Sequence, residues 1–248
     1  MAHPPARIPW SRFVALGDSL TEGVGDPAGR SLRGWADRLA DSLRALNPDL
    51  AYWNLGRRGL TTRQVRETQV ERALGLEPDL VSIVAGMNDL LAPDFDPPTY
   101  RSELRAIAAK MAASGATLLM GTFPKELPIL RVLPRGRGRE RKERLQVASD
   151  VVLEVAAEYG AECMDAAPGW RYTMAECSID GCHPNARGHA HIAELGFVAL
   201  CRRAAITAPA MDHGNRSWVS TSFGHLRWLA SQGYLRRAPE LILRREEA

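Results

Sequence analysis

The chain lacks any window of roughly eighteen or more unbroken apolar residues, the length an α-helix needs to cross a bilayer, so no membrane-spanning segment is expected. Its opening residues hold Pro4, Pro5 and Pro9 where a secretory leader would carry an apolar stretch. The expectation is a leaderless, cytoplasmic protein whose only route to a membrane is its surface. Cysteine is scarce: Cys163, Cys177, Cys182 and Cys201 are the only 4. They are too few and come too late for a disulfide framework, so free thiols are expected, although Cys177 and Cys182 are near enough in sequence to close a small loop. No second pair stands at metal-ligand spacing, and neither a metal nor another cofactor is expected. A large charge of one sign is missing too. The 32 basic and 29 acidic residues leave a net charge of +3, too small by itself to imply a nucleic-acid partner.

What is present is an ordinary globular composition: 248 residues, 45% hydrophobic and 25% charged, enough for a sizeable core. Strand-like and helix-like stretches alternate, the pattern of an α/β fold whose parallel sheet is covered by helices on both faces. Residues 12–16, 50–54, 80–85, 117–122 and 161–165 read as short strands. Between them Trp35, Leu39, Leu43 and Leu46 recur at helical spacing, as do Tyr100, Leu104, Ile107 and Met111 before Gly115. Thr61-Thr62-Arg63-Gln64 offers a capping box for a helix running to about Leu74. The expected division is a body of residues 1–205 and a C-terminal extension of residues 206–248, which opens around Pro209 and a polar stretch before turning helical.

Gly17-Asp18-Ser19-Leu20 ends the apolar run Phe13-Val14-Ala15-Leu16, so Ser19 leaves a strand where ligands approach parallel sheets. That position suits a nucleophile, although glycine, aspartate and serine are also common turn residues. Three more blocks follow in order: Asn54-Leu55-Gly56-Arg57-Arg58-Gly59, Gly86-Met87-Asn88-Asp89 after another apolar run, and Asp180-Gly181-Cys182-His183-Pro184-Asn185 opening a helical segment. Together they resemble the SGNH, or GDSL, hydrolase family over roughly residues 12–204, including its longer string in Gly17-Asp18-Ser19-Leu20-Thr21-Glu22-Gly23.

The resemblance implies a three-layer α/β/α sandwich with a flavodoxin-like central sheet of about five parallel strands. It also implies a serine esterase or lipase: Ser19 as nucleophile, His183 as base, Asp180 as its orienter, and Ser19, Gly59 and Asn88 as the oxyanion hole. The chemistry explains the residue types. A serine hydroxyl is a poor nucleophile until a base takes its proton, and a carboxylate on the far imidazole nitrogen fixes the tautomer and stabilises the imidazolium. The oxyanion then needs donors already aimed at it. Taken singly, Gly59 reads as a turn glycine and Asn88-Asp89 as a helix N-cap or Asx-turn.

The expected function is hydrolysis of a small-molecule or lipid ester through an acyl-enzyme. Acyl transfer or carbohydrate deacetylation at the same site, and a non-catalytic lipid- or protein-binding module, are the alternatives. There is no Gly-x-Ser-x-Gly elbow, which argues against the unrelated α/β-hydrolase order of residues. Gly23-Val24-Gly25-Asp26-Pro27-Ala28 imitates a dinucleotide-binding turn, but Pro27 falls where the helix should be established. His189 and His191 fall on the helix after His183 and read as packed or solvated rather than metal-binding. Residues 130–144 are expected to form a flexible basic loop, kept irregular by Pro134, Gly136 and Gly138, before a helix from Arg141 to Tyr159. From Arg131 to Arg144 the loop reads either as a solvated connection into that helix, or as a rim or lid near the active site that attracts anionic substrates or contacts an anionic or membrane surface. The tail, with Phe223, Leu226, Trp228, Leu229, Tyr234 and Leu235 beside Arg227, Arg236 and Arg237, is expected to pack on the body, form a homodimer contact, or lie on a membrane surface.

Overall fold

An unbroken apolar run builds the first strand, which lies inside the sheet. In β1 (Arg12–Gly17), Phe13, Val14, Ala15 and Leu16 are all fully buried, the pattern of a strand covered on both faces. A computed structural model of the protein describes residues 7–29, 31–166, 172–211 and 224–225. After β1 come the single turn α1 (Ser19–Glu22), the short strands β2 (Pro27–Ala28) and β3 (Ser31–Leu32), α2 (Trp35–Leu46) and β4 (Ala51–Asn54). Then follow α3 (Thr62–Leu74), β5 (Leu80–Val84), α4 (Met87–Leu91), α5 (Pro97–Ala113), β6 (Thr117–Gly121), a 3-10 turn (Pro128–Val132), α6 (Arg135–Glu158), β7 (Glu162–Met164) and α7 (Ala186–Arg203).

The main sheet is parallel, in the order β4-β1-β5-β6-β7, with Phe13 beside Tyr52 and Leu80, and Ser82 beside Leu119. Alternation sorts the side chains of each strand. Val14 and Leu16 enter the core under α3, α5 and α6, where Val65, Leu104, Ile107 and Val155 are buried. Phe13 and Ala15 enter the opposite core, with Trp35, Leu39 and Leu43 of α2 and Phe197 and Leu200 of α7. The expected three layers are therefore present. The expected strands are matched within a residue at each end. The antiparallel ribbon of β2 and β3 was not foreseen, because two-residue strands carry no periodicity.

Helix caps follow the local sequence. Thr61 and Gln64 form the capping box of α3, with the Thr61 side chain accepting from Gln64 N. The basic segment departs from expectation: residues 130–144 are not an irregular loop, because a 3-10 turn ends at Val132 and α6 begins at Arg135. Glycines in a helix cost about 1 kcal/mol each relative to alanine. Here Gly138 gains a close contact, since a Cβ would stand 2.8 Å from Leu130 O. The pairs Arg139–Glu143 at 3.1 Å and Arg144–Glu140 at 2.6 Å stabilise the first turns, and Arg144 also donates to Ala92 O at 2.6 Å. Arg141 donates to Leu90 O.

Beyond α7, Ile206, Ala208 and Met211 pack against the α2 and α7 core. The tail side chains Phe223, Leu226, Trp228, Leu229, Tyr234 and Leu235, with Arg227, Arg236 and Arg237, lie outside the described residues. No helix of the described residues is long and apolar enough to cross a membrane.

Candidate active site

Gly17 makes the junction that positions Ser19. It has φ 155°, and a Cβ there would stand 2.1 Å from Val84 O on β5, so only glycine lets β1 pass so close to its neighbour and turn at once into α1. Asp18 caps that turn, its Oδ1 accepting from Leu20 N at 3.0 Å. Gln69 of α3 completes the clamp: its Nε2 donates to Gly17 O at 2.8 Å and its Oε1 accepts from Gly17 N at 2.9 Å. One buried side chain thus satisfies both backbone groups two residues before Ser19.

His183 arrives from the far end of the chain. Its Nε2 is 2.9 Å from Ser19 Oγ and its Nδ1 is 2.7 Å from Asp180 Oδ2. The other carboxylate oxygen, Oδ1, accepts from Cys182 N and His183 N, both at 2.9 Å, so Asp180 is held by the loop it orients. The loop itself is closed by Ser178 N donating to His183 O at 2.8 Å and Gly181 N donating to Ser178 O at 3.0 Å. Asn185 fixes its exit. It caps α7 by accepting from Arg187 N and Gly188 N, while its Nδ2 donates to Ala175 O at 2.8 Å and Cys177 O at 2.9 Å.

Gly59 and Asn88 flank this line because β4 and β5 flank β1. Gly59 has φ 80° in the loop after β4, a conformation that side chains disfavour, although no atom of the described residues would obstruct a Cβ there. Asn88 sits at the start of α4, with its Nδ2 donating to Leu60 O at 2.9 Å, and Asp89 accepts from Thr62 N at 2.9 Å. These bonds join the loops that carry Gly59 and Asn88. Asn54 ties the first of them to α1 by donating to Thr21 O at 2.7 Å, and Arg58 bonds Glu22.

Electrostatics poises the acid–base pair. Burial acts to raise the Asp180 carboxyl, but the His183 hydrogen bond, the His183 charge and two backbone N–H groups outweigh it and bring the pKa down to about 2. Burial likewise acts to lower His183, and the Asp180 hydrogen bond with the charges of Asp180 and Asp18 outweighs it, raising the ring above its ordinary value. Asp18, itself buried, is pushed up to about 6. The thiol of nearby Cys182 is pushed up to about 12 by burial, so it stays protonated and is a poor competitor for Ser19. All four cysteines are free thiols.

A pocket opens beside Ser19 and His183, walled by Val84, Met87, Phe123, Leu127, Met164, Ile192 and Leu195. Its lining is almost wholly apolar. Leu127 is the last lining residue before α6, so the arginines of that helix do not line it. His189 lies elsewhere, fully buried, accepting from Trp35 N at 3.1 Å and contacting Val24 O at 3.1 Å through Nε2, with its pKa lowered to about 4 by burial. It packs α7 onto α2. Gly25 also serves packing, since a Cβ there would stand 1.9 Å from Pro184 O beside the His183 loop. Sequence reasoning missed Gln69, whose signal is only a glutamine on the buried face of a polar helix.

The family model described as GDSL-like Lipase/Acylhydrolase family matches residues 15–191. An acetylxylan esterase of Geobacillus stearothermophilus is 25% identical over 208 residues, spanning 75% of this chain and 94% of that protein. Among solved structures, LAE5, an alpha/beta hydrolase enzyme from the metagenome of Lake Arreo, superposes with a TM-score of 0.63 at 25% identity, covering 77% of this chain and 94% of that one. TesA superposes with a TM-score of 0.63 at 21% identity, covering 78% and 99%.

Proposed function

Since the chain belongs to the GDSL-like lipase/acylhydrolase family and is a carboxylic ester hydrolase acting on small-molecule esters, we propose that Ser19, His183 and Asp180 carry its chemistry, with Ser19 N–H, Gly59 N–H and the Asn88 amide as oxyanion donors. The observation that carries this reading is the continuous hydrogen-bonded line from Ser19 Oγ through His183 to Asp180. In the first step Ser19 Oγ bonds the ester carbonyl carbon while its proton passes to His183 Nε2. The carbonyl oxygen becomes an oxyanion, held by the three donors. Collapse breaks the bond to the alcohol, which leaves with the proton from His183. Water then repeats the sequence against the acyl-enzyme, giving the acid and restoring Ser19. Fluorophosphonate should add once to the wild type and not to Ser19→Ala; an adduct on the variant, or wild-type turnover in it, overturns the assignment.

The apolar pocket supports a finer reading: the acyl group is longer than acetyl and lies against Met87, Phe123, Leu127, Met164 and Ile192. Each methylene taken from water contributes about 0.8 kcal/mol, roughly fourfold in kcat/KM. Across p-nitrophenyl esters of increasing chain length, kcat/KM should rise several-fold per added methylene from acetate until the pocket is full. A maximum at acetate, with activity on acetylated xylo-oligosaccharides, would instead favour the deacetylase reading suggested by the acetylxylan esterase relative. The exposed Arg135, Arg137 and Arg139 in the first two turns of α6 support one non-chemical role beside this, contact with an anionic surface.

A further inference from the structure

The described residues farthest along the chain, Gly224 and His225, lie beyond the span matched by the family and return to the acid–base side of the site. His225 is fully buried, and its Nδ1 is hydrogen-bonded to the Oγ of Ser178, which is buried as well. Gly224 packs on the β2–β3 ribbon, where a Cβ would come within 3.1 Å of Pro27 Cγ. Ser178 is not an arbitrary partner. Its N–H donates to His183 O at 2.8 Å and its carbonyl accepts from Gly181 N at 3.0 Å, so it forms the base of the loop that carries Asp180 and His183. Among the described residues, the charged and titratable groups acting on the His225 ring include Asp180, His183 and Arg58. Burial lowers the His225 pKa, which leaves the ring neutral and adds no charge beside the pair.

We propose that His225 is a positioning residue for the acid–base pair, acting through Ser178 to hold residues 178–183 at the register in which Asp180 bonds His183. A tether only at the loop's chain ends would leave the hydrogen bonds at its base exposed to competition from water. A buried ring against Ser178 removes that competition and anchors the loop to a separate part of the chain. The inference rests on the proposed roles of Asp180 and His183.

The test uses the full chain and p-nitrophenyl acetate, with His225→Ala, His225→Asn, Ser178→Ala and the double variant His225→Ala/Ser178→Ala. Small misplacement of a catalytic group lowers turnover steeply. His225→Ala should lower kcat about tenfold with KM within about twofold, and move the acid limb of kcat/KM to lower pH, because a loosened Asp180 raises His183 less. His225→Asn, whose amide reaches the position of Nδ1, should recover most of the turnover. Ser178→Ala should reproduce the loss, and the double variant should be no worse than either single change. Folded Ser178→Ala or His225→Ala with wild-type kcat and pH profile overturns the proposal, as does full additivity in the double variant. A lowered Tm alone, with kcat and the acid limb unchanged, also overturns it, since that is what a purely structural role predicts. If His225→Ala does not fold, His225→Asn and Ser178→Ala decide by the same readouts. Fluorophosphonate labelling keeps the two readings apart: loss of the adduct in Ser19→Ala reports the nucleophile, while the labelling rate in the His225 and Ser178 variants reports the positioning.

Discussion

Gln69 offers the sharpest test of how Ser19 is held, because a single side chain bonds both the N–H and the C=O of Gly17 and is only 3% exposed. Gln69→Leu removes both bonds and strands the buried Gly17 N–H at a cost of about 1–3 kcal/mol, while Gly17 O keeps its bond from Arg57 N at 3.2 Å. The added apolar surface offsets part of this, leaving about 1–2 kcal/mol, or roughly 2–8 °C in Tm at about 2–4 °C per kcal/mol for a chain of this size. Gln69→Glu asks a finer question. A protonated carboxyl matches the amide, donating to Gly17 O and accepting from Gly17 N, whereas the ionised form only accepts and turns a buried charge toward a carbonyl. Folding therefore raises the pKa of the introduced carboxyl above its unfolded value of about 4.3. The sign follows directly: the variant is nearest wild type below that value and loses stability as pH rises, by about 1.4 kcal/mol per pH unit until the folded-state pKa is passed. Melting curves of the wild type and both variants between about pH 4.5 and pH 7.5 measure this. The gap for Gln69→Glu should widen with pH while that for Gln69→Leu stays level. A wild-type Tm for Gln69→Leu, or two gaps with the same pH dependence, would refute the bridging role.

Asn88→Ala should lower kcat by roughly a hundredfold or more with little change in KM, as expected for a donor that acts on the developing oxyanion; steady-state kinetics on a soluble ester checks it, and an effect confined to KM would contradict it. Because His183 must be neutral to accept the Ser19 proton and its pKa is raised chiefly by Asp180 against burial, activity should fall as pH drops through that raised value. Asp180→Asn should shift the acid limb of kcat/KM to lower pH and lower its plateau, and an unmoved limb would count against the pairing. Replacing Arg135, Arg137 and Arg139 by Ser should leave soluble-ester hydrolysis within about threefold, since none of them lines the pocket, and should weaken any salt-dependent binding to anionic vesicles; abolished hydrolysis in a folded protein would put that helix in the chemistry.

The alternation of elements was legible because each depends on residues close in sequence. The apolar runs at 13–16 and 80–85 read as strands covered on both faces from their shortness and their place between helical stretches, and Thr61 with Gln64 announced the start of α3 through a local hydrogen bond. Local reasoning failed at residues 130–144 for the same cause. Gly136 and Gly138 argue against a helix within their own neighbourhood, and the contacts that support it, Arg144 to Ala92 O and Arg141 to Leu90 O, span about fifty positions.

By itself the sequence determined the fold class, the places of the main-sheet strands to within a residue and the residue types on which acyl transfer depends, since these follow from periodicity, turn chemistry and the ordered blocks around Ser19, Gly59, Asn88 and His183. Only the tertiary structure decided which of them touch. Ser19 and His183 are 164 positions apart and meet because β1 lies inside the sheet, between β4 and β5, and the loop before α7 returns to its carboxyl edge. Gln69 reaches Gly17 across 52 positions and His225 reaches Ser178 across 47, and neither leaves a mark on its neighbours in the chain. A buried polar side chain is chosen by the group it must satisfy, and that group is brought to it by the packing of the whole molecule.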